Sequence, residues 1–363
     1  MRRVIVHERF TEMAGSEAVV LQLKEQWPDA PICAAIADPR VMPPGLEVGT
    51  SPVQRLYRGG GYAPLLPLLP WAMSHLPLPE HDVVVASHHA FANRVVHETS
   101  KPVVSYVHSP ARWMWDADKR RGELGGRAGE MALAAFSATQ RGADRRAARR
   151  VHTLVANSRA VATRIADWWG REDAVVVPPP VDVESYRPDP SVPREDFVLM
   201  AGRLGPYKRP ELAVRAAARA GLRLVVVGEG RAMPACRAVA GPEVSFLGRV
   251  DFDTLRDLYR RAAVLVMPGE EDFGIVPVEA QACGAPVVAL GLGGALDSVV
   301  PGVTGALVEP STDDDVLVER FAVALREVAG AGLDPRVVRE HAETFGEPVF
   351  RERMAAIVDA AAA

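Results

Sequence analysis

Two glutamates, Glu271 and Glu279, stand eight positions apart with Gly274 between them, in the run Glu271-Asp272-Phe273-Gly274-Ile275-Val276-Pro277-Val278-Glu279. The apolar, branched run Ala263 to Pro268 just upstream reads as a buried parallel strand, so the loop after it lies at a strand's carboxyl end. Pro277 lacks an N–H and has its φ already set, which suits a first helical turn, and Gly284-Ala285-Pro286 ends that helix after Cys283. The backbone N–H groups of Phe273, Gly274, Ile275 and Val276 then gather at the positive end of a helix dipole, where a diphosphate is well received. Glu271, before the turn, is placed to accept hydrogen bonds from sugar hydroxyls, and Glu279, inside the helix, from a ribose diol. The set fits a sugar carried on a nucleotide. Taken singly, the same residues also fit an acidic loop and a solvated helix glutamate.

A second strand-to-helix turn supplies the opposite charge. Phe197 to Ala201 reads as strand and Glu211 to Ala220 as helix, and between them Arg203 and Lys208 stand five positions apart. A guanidinium fork and an ammonium point charge together offset the charge of a departing diphosphate. Positive charge is otherwise disfavoured at that end of a helix, which argues against two incidental surface cations.

Gly202-Arg203-Leu204 with Lys208, Gly228-Glu229-Gly230, Phe246 to Val250, Glu271 to Glu279, Gly293-Gly294 and Thr304-Gly305 resemble, in order and spacing, the donor half of a GT-B glycosyltransferase of family 4. The run Pro268 to Ala280 is especially similar to the O-antigen and capsule mannosyltransferase branch. The resemblance implies an α/β fold of the GT-B kind, with two Rossmann-like domains facing across a cleft. It also implies retaining transfer without a metal or other cofactor, and a nucleotide diphosphate sugar as donor, GDP-mannose before a UDP-sugar. The acceptor it implies is a glycan or lipid-linked molecule, with a UDP-sugar-dependent transferase acting on a small-molecule acceptor as the alternative. Catalytic roles fall to His108, which would contact the transferred sugar, and to Arg203, Lys208 and Glu271. Donor contacts extend to Gly15, Arg249, Val250, Phe273, Gly274, Ile275, Val276 and Glu279, with base selection around Gly248 to Val250.

The first half carries compatible marks. Val4 to His7 is a short opening strand, and Gly15 falls in a loop before the helical periodicity of Ala18, Val19, Leu21 and Leu23, where backbone can approach a ligand closely. The family often has two glycines here; this chain has Ala14 then Gly15. Pro102 to Val107 reads as a strand whose carboxyl end delivers His108-Ser109-Pro110-Ala111-Arg112-Trp113, and ligands of open α/β sheets gather at such ends. Arg112 and Trp113 are acceptor-side candidates. His88, His89 and His152 receive no role.

Apolar runs alternate with helical stretches along both halves, which favours two α/β domains. The boundary is legible at Pro178-Pro179-Pro180, followed by a polar, proline-rich passage to Asp196 that reads as a linker. The expected division is 1–178, 179–345 and a terminal helix over 346–363 that returns to the first domain.

The 363 residues carry a net charge of −4, divided unevenly: 22 Lys and Arg against 18 Asp and Glu through residue 180, and 20 against 28 thereafter. Nine cations lie between Lys119 and Arg150, so a basic helix there either leans on an anionic membrane or is a solvated face. Nucleic acid is an unlikely partner for an acidic chain with no binding motif. The apolar stretch Tyr62 to Leu78 is too broken by prolines to span a bilayer, and is either buried packing or a membrane- or acceptor-touching loop. Three scattered cysteines, Cys33, Cys236 and Cys283, and no secretory signal point to the cytoplasm, peripheral at the inner face of the membrane if the basic half touches it.

Other chemistries fit less well. Gly228-Glu229-Gly230 lacks the third glycine of a nicotinamide site. Asp116-Ala117-Asp118 and Asp251-Phe252-Asp253 match a metal-binding Asp-x-Asp, but neither follows a convincing buried strand. Lys208 is the only lysine after residue 180, which leaves none for a pyridoxal-phosphate phosphorylase. An epimerase or a non-catalytic nucleotide-sugar-binding protein stays open.

Overall fold

The computed structural model describes residues 1–120 and 126–363. They divide into two compact units, Met1–Pro180 with Phe350–Ala363, and Val181–Val349.

The first unit is built on seven parallel strands: β1 (Arg3–Phe10), β2 (Ile32–Ala37), β3 (Val48–Thr50), β4 (Val83–His88), β5 (Val103–Val107), β6 (Thr153–Ala156) and β7 (Val175–Val176). Their order is β3-β2-β1-β4-β5-β6-β7, so the winding reverses between β1 and β4. Strands β2, β4 and β5 are buried at every position, which is why they read as unbroken apolar runs rather than alternating ones. His7 is the register partner of Ser87, and Ser87 of Tyr106, which sets polar groups side by side near the carboxyl end of the sheet.

The second unit has six parallel strands: β8 (Phe197–Ala201), β9 (Arg223–Val227), β10 (Val244–Gly248), β11 (Val264–Met267), β12 (Val287–Leu290) and β13 (Gly305–Val308). Their order, β10-β9-β8-β11-β12-β13, reverses between β8 and β11. Loops leaving neighbouring strands at such a switch diverge and leave a crevice for a ligand.

The division between units falls after Pro180 rather than 178, and the passage to Asp196 is not a loose linker. Val181, Val183 and Tyr186 are buried in the second core at 2, 6 and 8% exposure. The Arg339 guanidinium ties the carbonyls of Val183, Tyr186 and Ala282, and that of Arg194 ties the carbonyls of Ala262 and Cys283. Prolines and charges made this passage look solvated, but its spaced apolar residues and carbonyl-capping arginines anchor it.

The terminal helix Glu347–Ala362 completes the first unit. Phe350, Met354 and Val358 enter the same cluster as Ile5, Val104 and Tyr106, with the Phe350 ring 5.4 Å from that of Tyr106. Each such buried side chain stabilises by about 1.5–3 kcal/mol. Arg353 donates to the Val176 carbonyl at 2.8 Å, and Arg3 pairs with Asp359 at 2.7 Å.

Candidate active site

In the second unit β8 and β11 are neighbours, so the loops leaving their carboxyl ends border the crevice at this switch. Lys208 closes the short 3-10 turn Pro206–Lys208, ahead of the helix Pro210–Ala220, and its Nζ lies 2.8 Å from Glu271 Oε1. Two glycines permit this approach. A Cβ on Gly269 would fall 2.4 Å from the Lys208 Cα, and one on Gly294 would fall 2.1 Å from the Phe273 Cα. The Gly294 N–H donates to the Glu271 carbonyl at 3.0 Å, fixing the loop that presents the carboxylate.

Gly274, left-handed at φ 85°, turns the chain into the helix Ile275–Ala282. A Cβ built on Gly202 would sit 3.7 Å from Lys208 Nζ and 3.9 Å from Val276 Cγ2, so the helix start and the cationic turn border one spot. Arg203 is exposed on the same turn, whose backbone is held by Leu204 N–H on the Glu229 carbonyl and Gly205 N–H on the Arg203 carbonyl. An anion there would meet the helix start and the Lys208 ammonium, with Arg203 carried on the same turn, an arrangement suited to a diphosphate.

Glu279 is half-buried, and its Oε2 accepts from the Tyr259 hydroxyl at 2.9 Å. Burial pushes its carboxyl up to about 7, against the opposing pull of that hydrogen bond and of Lys208. The Phe273 side chain is buried against the Phe345 ring, 5.6 Å away, so only its backbone can meet a ligand. Arg249 is 84% exposed and pairs with Glu229 at 3.3 Å, while Val250 packs on the core. The Arg249 side chain thus meets solvent and Glu229, and the Val250 side chain meets the core.

In the first unit Gly15 is the exposed first residue of the helix Gly15–Gln26. The N–H of Ala14 donates to Glu17 Oε2 at 3.1 Å. His108 follows β5; its N–H donates to the His88 carbonyl and its own carbonyl accepts from Asn157 Nδ2. Its Nε2 lies 2.8 Å from Ser87 Oγ, Ser87 Oγ lies 3.1 Å from His7 Nδ1, and His7 Nε2 lies 3.2 Å from Glu17 Oε1. Burial pushes the His108 ring down to about 3, helped by His7 and opposed by Glu17, so it is neutral at ordinary pH. Burial raises the Glu17 carboxyl, but His7 and Ser16 outweigh it and hold the group at about 2.

Glu17, His7 and Ser87 were missed as site residues by reading the sequence. Their signal was there: polar side chains inside the apolar runs of β1 and β4, and an acid in the first turn after Gly15.

Arg112 opens the short helix Arg112–Trp115 after Ser109-Pro110-Ala111, and Trp113 stacks on Phe136 with centroids 6.2 Å apart, so much of its ring serves packing. The basic helix runs Gly126–Arg150; Arg121 and Glu123 of the basic stretch lie outside the described residues. Several of its cations are spent inside the unit: Arg141 on the Met114 carbonyl, Arg145 on the Trp168 carbonyl and the Trp115 ring, and Arg150 on His97. From the proline-rich stretch Leu69, Ala72, Met73 and Leu76 are buried, whereas Leu68 and Trp71 face outward. No helix among the described residues is long and apolar enough to cross a membrane. Asp251 caps the helix Phe252–Arg261 through the Thr254 N–H, and Asp253 pairs with Arg256, so this Asp-x-Asp serves helix structure.

Two parallel-sheet α/β units, each gathering polar groups at the carboxyl ends of strands, define a Rossmann-like pair of the GT-B kind. Residues 13–185 match the family described as Glycosyltransferase Family 4, and residues 182–329 that described as Glycosyl transferases group 1, so each half of the chain carries a match to a glycosyltransferase family. It is 37% identical over 224 residues to the D-inositol 3-phosphate glycosyltransferase of Geodermatophilus obscurus, a match covering 53% of this chain and 49% of that protein. The chain spans about half the length of the curated relatives it matches. Among solved structures it is similar in fold to Anabaena HepE in complex with UDP and glucose (TM-score 0.69, 18% identity, 99% of this chain and 100% of that one). It is also similar to the sucrose-phosphate synthase of Thermosynechococcus elongatus (TM-score 0.74, 18% identity, 99% of each chain). The relatives carry the name of an inositol phosphate transfer; the mannosyltransferase branch expected from Pro268 to Ala280 is not among their names.

Proposed function

We propose that this chain is a retaining glycosyltransferase that moves a sugar from a nucleoside diphosphate sugar to a hydroxyl of its acceptor. The observation that carries this reading is the Lys208–Glu271 pair held at 2.8 Å beside the start of the helix Ile275–Ala282. In the proposed reaction Arg203, Lys208 and the N–H groups of Gly274, Ile275 and Val276 stabilise the diphosphate as its charge grows. Glu271 and His108 hold hydroxyls of the transferred sugar, and Glu279 takes the ribose. The bond from the anomeric carbon to the phosphate oxygen breaks, a bond to the acceptor oxygen forms on the same face, and the acceptor's proton leaves with the phosphate. No metal is needed where two cations and a helix terminus neutralise the leaving group.

For the donor and acceptor, the names of the relatives support a small phosphorylated cyclitol as acceptor, and the UDP complex of HepE supports a uridine donor. The run Pro268 to Ala280 supports the second reading, GDP-mannose with a lipid-linked or glycan acceptor on the cytoplasmic face of a membrane. Melting temperatures measured with UDP-, GDP- and ADP-sugars separate them, because a ligand that binds only the folded state raises apparent stability. A shift with UDP-sugars and a glycosylated inositol phosphate by mass spectrometry support the first reading; a shift with GDP-mannose alone supports the second. No nucleotide release with any donor and acceptor, or transfer abolished by a chelator and restored by magnesium, overturns the corresponding part.

A further inference from the structure

The chain from Glu17 through His7 and Ser87 ends on His108 Nε2, and its three inner members are at most 3% exposed. We propose that Glu17 is a positioning residue which, through His7 and Ser87, keeps His108 in the tautomer whose bare Nδ1 accepts a hydroxyl of the transferred sugar. The proposal rests on the reading of His108 as the sugar-facing group.

Counting protons leads there. An ionised carboxylate only accepts. Glu17 Oε2 takes the Ala14 N–H at 3.1 Å and the Ser16 hydroxyl at 2.9 Å, which leaves Oε1 for the Nε2–H of His7 at 3.2 Å. In the neutral form of His7, with its single proton on Nε2 toward the carboxylate, Nδ1 is bare and the Ser87 hydroxyl donates to it at 3.1 Å. Ser87 Oγ has then used its only proton and can only accept. His108 Nε2 is therefore the donor at 2.8 Å, and the lone pair of the neutral ring lies on Nδ1.

Buried polar groups need partners wherever they sit, and a cluster closed on itself would meet that need. This one does not close. It opens onto a half-exposed ring whose Nδ1 bonds to no protein group among the described residues. Its flanks are sealed: the Phe10 ring meets His7 edge-on at 4.9 Å, and Tyr106 meets His108 edge-on at 5.2 Å. The Tyr106 hydroxyl is turned to the Val177 carbonyl, and the neighbouring His89 is engaged by Arg9, so neither intrudes on the chain. The chain also fastens the sugar-facing histidine to the turn that begins at Gly15, since Glu17 sits in the first turn of that helix.

The test is nitrogen NMR of the full chain labelled in histidine, beside transfer kinetics. In the native protein the expected His108 signal is that of a protonated Nε2 and a bare Nδ1. In Glu17→Gln the Ala14 and Ser16 donors hold the amide oxygen, the amide N–H then faces His7, and every bond in the chain reverses. His108 is expected to switch to a protonated Nδ1, with kcat down about 10–100-fold and the donor KM nearly unchanged. Ser87→Ala cuts the chain, and is expected to mix the two tautomers and lower kcat in the same way; it serves if Glu17→Gln does not fold. A native protein with Nδ1 protonated, a Glu17→Gln protein with an unswitched ring, or a switched ring with undiminished kcat would each overturn the proposal. A native protein that transfers no sugar would sink the proposed function, while the tautomer measurement would still decide the chain.

Discussion

The two units hold their polar groups by opposite means. In the second, backbone touches backbone: Gly269 and Gly294 let the loops after β11 and β12 close on Lys208 and Phe273, and the charged pair is carried by main chain that has little room to move. In the first, the strands lie at ordinary spacing, and His108 is held by side chains reaching across the register from His7 and Ser87. A site built on close backbone approach fails through any added carbon atom. A site built on a side-chain chain fails through a change of proton.

The strongest blow to this contrast falls on the first unit's core. Phe350→Ala is expected to destabilise by about 3–5 kcal/mol, since Phe350 is 2% exposed against Tyr106. Calorimetry should show the first unit melting early with the second unit's transition unmoved; a single transition shifted as a whole would mean that the two units do not respond separately. Next comes Gly294→Ala, whose Cβ would lie 2.1 Å from the Phe273 Cα. Overpacking of that kind costs about 1–3 kcal/mol, and donor binding measured by calorimetric titration should weaken together with stability. Unchanged binding would remove the close approach from the description of the site.

Lys208→Ala sharpens the comparison, because it removes charge without adding bulk. Loss of one charged hydrogen bond is worth about 1.5–3 kcal/mol, so kcat/KM should fall roughly 10–100-fold with the melting temperature little changed. Smaller still is a pH effect at Glu279. Its folded value of about 7 lies above the ordinary carboxyl value, so the folded chain keeps a proton that the unfolded chain releases. That contribution to stability is complete below about pH 4 and is lost as pH rises through about 7. The native melting temperature should therefore drop more between pH 5 and 8 than that of Glu279→Gln; parallel curves would place the titration elsewhere. Arg249→Ala should do least, under about a twofold change in KM, because its partner Glu229 and its own side chain are both exposed.

Local elements were legible in the sequence because their signals are local. The runs that became β8, β11 and the helix Ile275–Ala282 fell within a residue or two of their observed ends. Arg203, Lys208 and Glu271 could be picked out by type and turn position, but the meeting of Lys208 with Glu271 depends on β8 pairing with β11 across more than sixty intervening residues, which no short window contains. His7 and Ser87 were hidden for the same reason. Each looks like a stray polar residue until β1 and β4 pair and make them register partners. The passage Val181 to Asp196 misled in the other direction, since its prolines outshouted three apolar residues that the second core needs.

The return of Glu347–Ala362 to the first unit has a consequence for how the protein is made. Synthesis runs from the amino end, and domains generally fold as they emerge. Here the unit that holds Met1–Pro180 lacks one wall of its interior until Glu347–Ala362 has been threaded out. Ile5, Val104 and Tyr106 wait without Phe350, Met354 and Val358 while the whole of the other half is translated. That unit is begun before the other and completed after it, and until then its open flank leaves apolar side chains uncovered.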